Sequence, residues 1–145
     1  MTSSSALCLS AAALLLGCHS PVDTRVGLAV AASIRPEPAV VGQTLSIEVT
    51  VANSSATEYF VSGSSSGCFA IVDVRDSYGG LVPNANRRAC DLASVQHPIA
   101  PSTTLVDRLS FAGLAAGTYR VRARVGVVAY GEVQSPDYVV SVRDP

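Results

Sequence analysis

Residues 114–125 read Leu114-Ala115-Ala116-Gly117-Thr118-Tyr119-Arg120-Val121-Arg122-Ala123-Arg124-Val125. From Tyr119 on, Tyr119, Val121, Ala123 and Val125 alternate strictly with Arg120, Arg122 and Arg124. Neighbouring side chains of an extended chain point to opposite faces, so this period of two predicts a strand with one face on a core and one in water. A second stretch says the same: Leu45-Ser46-Ile47-Glu48-Val49-Thr50-Val51 alternates apolar with polar and runs into the turn residues Asn53-Ser54-Ser55.

Outward from these two, the pattern stays extended and no helical period appears. Leu28, Val30, Ala32 and Ile34 predict a first strand ahead of the break at Pro36 and Pro38, and 59–61 a short one. Gly63-Ser64-Ser65-Ser66-Gly67 reads as a flexible loop, and residues 68–74 are apolar enough for a buried strand ending in the turn Asp76-Ser77-Tyr78-Gly79-Gly80. Residues 84–101, with Cys90, Pro98 and Pro101, read as irregular; 105–111 is extended, and Tyr138, Val140 and Val142 mark the last strand. Seven to eight short strands at this spacing predict an all-β antiparallel sandwich. Leu114 to Tyr119 resembles the tyrosine corner of immunoglobulin-like folds, in which a Tyr hydroxyl bonds back to upstream backbone; here Gly117 takes the unusual backbone angle. The plainer alternative makes Tyr119 a core aromatic.

The 145 residues suit one domain with a real core. With 48% hydrophobic and 14% charged residues the chain is too apolar to be disordered. Ten basic residues, all Arg, against eleven acidic ones leave a formal net charge of −1, which argues against nucleic acid as a partner.

The N-terminus reads as an address. Residues 6–17 form an apolar run too short to cross a hydrocarbon core of about 30 Å as a helix and of the length of a signal-peptide core. Leu15-Leu16-Gly17-Cys18 resembles the lipobox of bacterial lipoproteins, in which a small residue precedes the Cys that carries the lipid. A buried N-terminal helix is the alternative, but no polar face supports it. Met1-Thr2-Ser3-Ser4-Ser5 lacks the positive charge usual at such a start. The expected organisation is a signal peptide over 1–17, lipidated Cys18 with a short tether over 18–27, and a sandwich domain over 28–145. His19 is not the Asp that commonly retains such lipoproteins in the inner membrane. The expected location is therefore the bacterial cell envelope, with the outer membrane or cell surface favoured. A diacylated Cys plus an N-acyl chain would supply two anchoring signals.

With Cys8 removed and Cys18 lipidated, Cys68 and Cys90 remain in a compartment where disulfides persist, and they are expected to pair. Closing a loop of that length stabilises by roughly 3 kcal/mol on the chain-entropy model. A metal site adding Asp91 and His97 is the competing idea, though the spacing fits no compact zinc pattern.

From about Thr44 to Val127 the order of features resembles the BsuPI-type intracellular proteinase inhibitor domain, a small immunoglobulin-like family. The matching elements are Ile47-Glu48-Val49-Thr50-Val51-Ala52-Asn53, Ile71-Val72-Asp73-Val74-Arg75-Asp76, Ile99-Ala100-Pro101-Ser102, and Leu114 with Gly117, Tyr119 and Val121. The chain departs from the family in lacking Trp and in carrying a Cys pair suited to export. The resemblance implies a sandwich fold and brings no reactive-site residue with it.

Three places could carry function. Arg120, Arg122 and Arg124 could engage a polyanion such as lipid phosphate or acidic glycan, or form a solvated face neutralised by neighbours such as Glu48, or guard an edge strand. Arg87 and Arg88 sit in the 84–101 loop braced by Cys90, which could bind a protease or be an ordinary pinned connection. Tyr59-Phe60 could stack on a sugar, although alternation turns one of the two inward. His97, ahead of Pro98, reads as an exposed loop residue; no Gly-x-Ser-x-Gly elbow or Cys–His pairing accompanies it. The expectation is a non-catalytic binding or assembly accessory module of the envelope, without cofactor or metal, its partners the membrane and an envelope protein or a protease. Proteinase inhibition through loop 84–101 is the alternative.

Overall fold

The computed structural model describes residues 22–23, 27–83 and 89–145. The strands are β1 (Val22–Asp23), β2 (Leu28–Arg35), β3 (Ala39–Val40), β4 (Leu45–Asn53), β5 (Tyr59–Ser64), β6 (Ala70–Arg75), β7 (Ser94–Ile99), β8 (Thr104–Phe111), β9 (Gly117–Val127), β10 (Gly131–Gln134) and β11 (Tyr138–Arg143). Eight of them run six residues or more, in keeping with the seven to eight expected.

They form two sheets, one ordered β1-β2-β4-β8 and one ordered β3-β11-β9-β5-β7, with β6 and β10 also pairing β9. Every pairing is antiparallel except the two-residue contact of β3 with β11. The inner faces meet in one core, where Val30, Ile47, Val49, Val51, Val61, Val121 and Val125 are almost wholly excluded from water. Each such side chain contributes about 1.5–3 kcal/mol relative to exposure. The molecule is an immunoglobulin-like β-sandwich. The Tyr119 hydroxyl donates to the Ala115 carbonyl at 3.0 Å, with Gly117 at φ +155° between them, so the tyrosine corner is formed. Tyr119 is also buried in the core, so both readings of it hold.

The structure corrects several expectations. Gly63 and Ser64 belong to β5, because that strand pairs along its whole length with β7. Residues 94–99, expected to be irregular, are β7 itself, a strand at the end of its sheet, where Pro98 is tolerated. His97 is accordingly a half-buried strand residue. Its Nε2 donates to the Ser64 carbonyl at 2.9 Å, and its ring lies 6.2 Å from that of Phe69. The buried strand expected over 68–74 is β6, over 70–75, and it alternates, with Ile71 exposed. Within the segment read as a tether, Val22 and Asp23 pair with Ala29 and Leu28.

Two polar side chains share the core-facing phase of their strands and tie the sheets together. Asn53 ends β4, where its Nδ2 donates to the carbonyls of Thr57, Ile99 and Ala100 and its Oδ1 accepts from the Ser55 amide and hydroxyl. Asp107 on β8 accepts from the backbone amides of Phe69 and Ala70, both at 2.8 Å, where the chain enters β6.

Candidate functional site

The outer face of the second sheet holds a groove of about 770 Å³ floored by β6, β9 and β10. Its charged lining comprises four arginines (Arg75, Arg120, Arg122, Arg124) and four carboxylates (Asp73, Asp76, Glu132, Asp137). The sequence places the arginines on one face through the two-residue period of β9 and β6. Register then decides which carboxylates they meet.

Arg124 is the most enclosed. Its Nη1 donates to Glu132 Oε2 at 2.9 Å and its Nη2 to Asp73 Oδ1 at 3.2 Å, while Nε lies 2.9 Å from Asp73 Oδ2 without hydrogen-bond alignment. The Asp73 hydrogen bond, opposed by partial burial, raises the guanidinium pKa above its usual value. Arg122 grips Asp137 through two parallel bonds, Nε to Oδ1 at 2.7 Å and Nη2 to Oδ2 at 3.0 Å, and reaches Gln134 with Nη1. That grip holds the Asp137 carboxyl below its usual range, with smaller contributions in the same direction from Arg120 and Arg75.

The opposite end differs. Arg75 and Arg120 are direct cross-strand partners, so two like charges stand side by side. Arg75 donates Nη1 to the Gly79 carbonyl at 2.9 Å, and among the described residues neither arginine forms an ion pair. The turn after β6 is closed by Asp76, whose Oδ1 accepts the Tyr78 and Gly80 amides, and it leaves Tyr78 almost fully exposed.

Of the residues singled out in the sequence, Arg120, Arg122 and Arg124 thus share one face, as expected. The carboxylates that neutralise Arg122 and Arg124 are Asp137, Asp73 and Glu132. Glu48 lies in the other sheet, paired across strands with Arg108 at 2.8 Å. The edge-strand alternative fails too, since β9 has partners on both sides. Cys68 and Cys90 form a disulfide, which takes both thiols out of the metal alternative. Asp91 instead accepts the amide and hydroxyl of Ser65, and His97 is committed to Ser64. Tyr59 is buried and Phe60 partly exposed, so they form no joint platform. Cys18, Arg87 and Arg88 lie outside the described residues.

Sequence reasoning missed Arg75 as the partner of Arg120, and it missed Asn53 and Asp107. For the last two a signal existed. Asp107 falls in phase with Leu105, Leu109 and Phe111, and Asn53 in phase with Ile47, Val49 and Val51; a polar residue in an apolar phase must find buried partners.

The chain matches no family model, and no curated protein matches it. Among solved structures it is similar to the CARDB domain of the PF1109 protein from Pyrococcus furiosus, determined in complex with di-metal ions. The TM-score is 0.50 with 21% identity, over 79% of this chain and 86% of that one. This likeness supports the sandwich fold. The chain is also similar to the cupredoxin domain of amoB from Nitrosocaldus yellowstonii, with a TM-score of 0.49 and 8% identity over 85% of this chain and 90% of that one. A conjugative transposon lipoprotein from Bacteroides eggerthii aligns with a TM-score of 0.36 and 12% identity, over 77% of this chain and 95% of that one.

Proposed function

We propose that this protein is a lipid-anchored binding or assembly module of the bacterial cell envelope, non-catalytic, which engages a partner protein through the outer face of β9 and β6. The observation that carries the reading is the groove on that face: a rigid sheet surface on which two arginines form no ion pair among the described residues and stand beside a projecting Tyr78. Arg and Tyr are the residue types that dominate protein interfaces, and a sheet holds them without the entropy cost of ordering a loop. The anchor rests on the lipobox-like Leu15-Leu16-Gly17-Cys18, and the extracytoplasmic setting is consistent with the Cys68–Cys90 disulfide.

Crosslinking in intact cells, followed by capture through a C-terminal tag, tests this. The expected result is one dominant envelope protein, lost with Arg120→Glu and kept with Arg108→Glu on the opposite sheet. Equal capture by both variants overturns the role of the face. Cys18→Ser is expected to release the protein from the membrane fraction; unchanged attachment overturns the anchor.

A second reading, proteinase inhibition in the manner of the BsuPI-type resemblance, is favoured by the tie at Cys90, where the disulfide and the Asp91 bonds to Ser65 hold the end of the segment carrying Arg87 and Arg88. It expects stoichiometric loss of protease activity, abolished by changing those two arginines. Simple digestion after Arg88 overturns it.

A further inference from the structure

The groove is neutral in sum but polar along its length. At one end a single guanidinium, Arg124, serves two carboxylates, Asp73 and Glu132. At the other, Arg75, Arg120 and Arg122 crowd around Asp137, and Asp137 is already held on both oxygens by Arg122. Asp76 spends its Oδ1 on the amides of its own turn. Placing like charges directly opposite one another across two strands is destabilising. For Arg75 and Arg120 the field of Asp137 offsets this in part, and among the described residues neither arginine forms an ion pair. Side chains directly opposite each other on adjacent strands start from Cβ atoms about 4.5–5.5 Å apart, so a carboxylate set between two such guanidinium groups can accept from both. Apolar residues also flank that pair: Val139, 60% exposed, is the cross-strand neighbour of Arg120 on β11, and Tyr78 and Leu81 stand exposed beside Arg75.

Resting on the reading of this face as the partner surface, we propose that the Arg75–Arg120 end recognises a carboxylate side chain on a partner protein, flanked by apolar residues that pack on Val139 and Tyr78. The charge layout selects this ligand over an anionic membrane surface. A dense array of lipid phosphates laid along the groove would meet Asp73 and Glu132 at its far end, whereas a single carboxylate at the near end meets Arg75 and Arg120 beside carboxylates already occupied, Asp137 by Arg122 and Asp76 by its own turn.

The test is a titration of the isotope-labelled full chain in detergent micelles, followed by NMR, with acetyl-Leu-Glu-Leu-amide as the probe. The expected result is saturable shifts at the Arg75 and Arg120 side chains and at Tyr78. The Gln analogue of the peptide should bind about tenfold more weakly, as loss of one charge-assisted contact implies. That preference should vanish in Arg120→Gln and persist in Arg108→Gln. If Arg120→Gln fails to fold, judged by near-UV circular dichroism, Arg75→Gln is expected to show the same loss. Absent saturation, or equal binding of the Glu and Gln peptides, overturns the proposal. So does stronger saturation of the same residues by short-chain dihexanoyl phosphatidylglycerol. Because the binding-module reading is judged separately by capture in cells, capture that depends on Arg120 together with a failed titration would discard the carboxylate and leave the module.

Discussion

Asp107 shows how much one side chain can hold. It is a buried carboxylate on β8 whose oxygen takes the two amides that open β6, in the opposite sheet. Asp107→Ala removes the acceptor that both amides share, at about 1–3 kcal/mol for a lost buried hydrogen-bond partner. Urea unfolding should show a midpoint lowered accordingly with an unchanged slope. Asp137 answers to pH. Its folded pKa lies below the unfolded value because Arg122 binds the ionised form. Its stabilisation is therefore complete above the ordinary Asp pKa of about 4 and is lost as pH falls through the lower folded value. Both partners are more than a third exposed, so the pair contributes at most about 1 kcal/mol after solvent screening. Asp137→Asn should lower stability slightly at neutral pH, and its denaturation curve should converge on that of the unaltered protein in strong acid.

At the scale of elements, β9 organises the second sheet. Eleven residues long, it pairs with β11 and β10 along one side and with β6 and β5 along the other. The same strand sends Tyr119, Val121, Ala123 and Val125 into the core and holds the arginines in the groove, so a one-residue slip would exchange core and site. The opposition of Arg120 to Arg75 costs a few tenths of a kcal/mol on this account, and Arg120→Gln should raise the melting temperature by about 1 °C. A fall would show that the arginine packs productively. The disulfide acts on a different pair of segments, joining the turn between β5 and β6 to the approach to β7 across 22 residues. Replacing Cys68 and Cys90 together by Ala should cost about 3 kcal/mol in a chemical unfolding experiment, since it returns loop entropy to the unfolded chain.

Across the whole molecule, the sheets share one apolar core and are cross-linked by Asn53 and Asp107, so neither is expected to survive the other. Tyrosine fluorescence and far-UV circular dichroism should report coincident unfolding midpoints; separated midpoints would show the sheets melting independently. The sandwich was legible in the chain because alternation is a local property. The strands around Ile47, Val121 and Val140 stand where period two put them, and the corner at Leu114 to Tyr119 closes as its residues implied. The misses have a common cause. Residues 94–99, with His97 and Pro98, look irregular alone and become a strand because β5 offers them a paired edge; Gly63, read as loop, pairs with Val95 in that ladder and has to be glycine there, because a Cβ would meet the Cys68 carbonyl at 2.7 Å and the His97 ring at 2.8 Å.

The chain by itself determined the class of fold and the face on which Arg120, Arg122 and Arg124 stand, because backbone periodicity needs no knowledge of distant residues; it left Cys68 and Cys90 between a disulfide and a metal site, and the fold brings them together as a disulfide. Tertiary structure alone decided that Asp73, Glu132 and Asp137 neutralise two of those arginines, that Glu48 neutralises none, and that Arg75 lies against Arg120, neither forming an ion pair among the described residues. Cross-strand register sets which charges meet, and register emerges only when two sheets close over a common core.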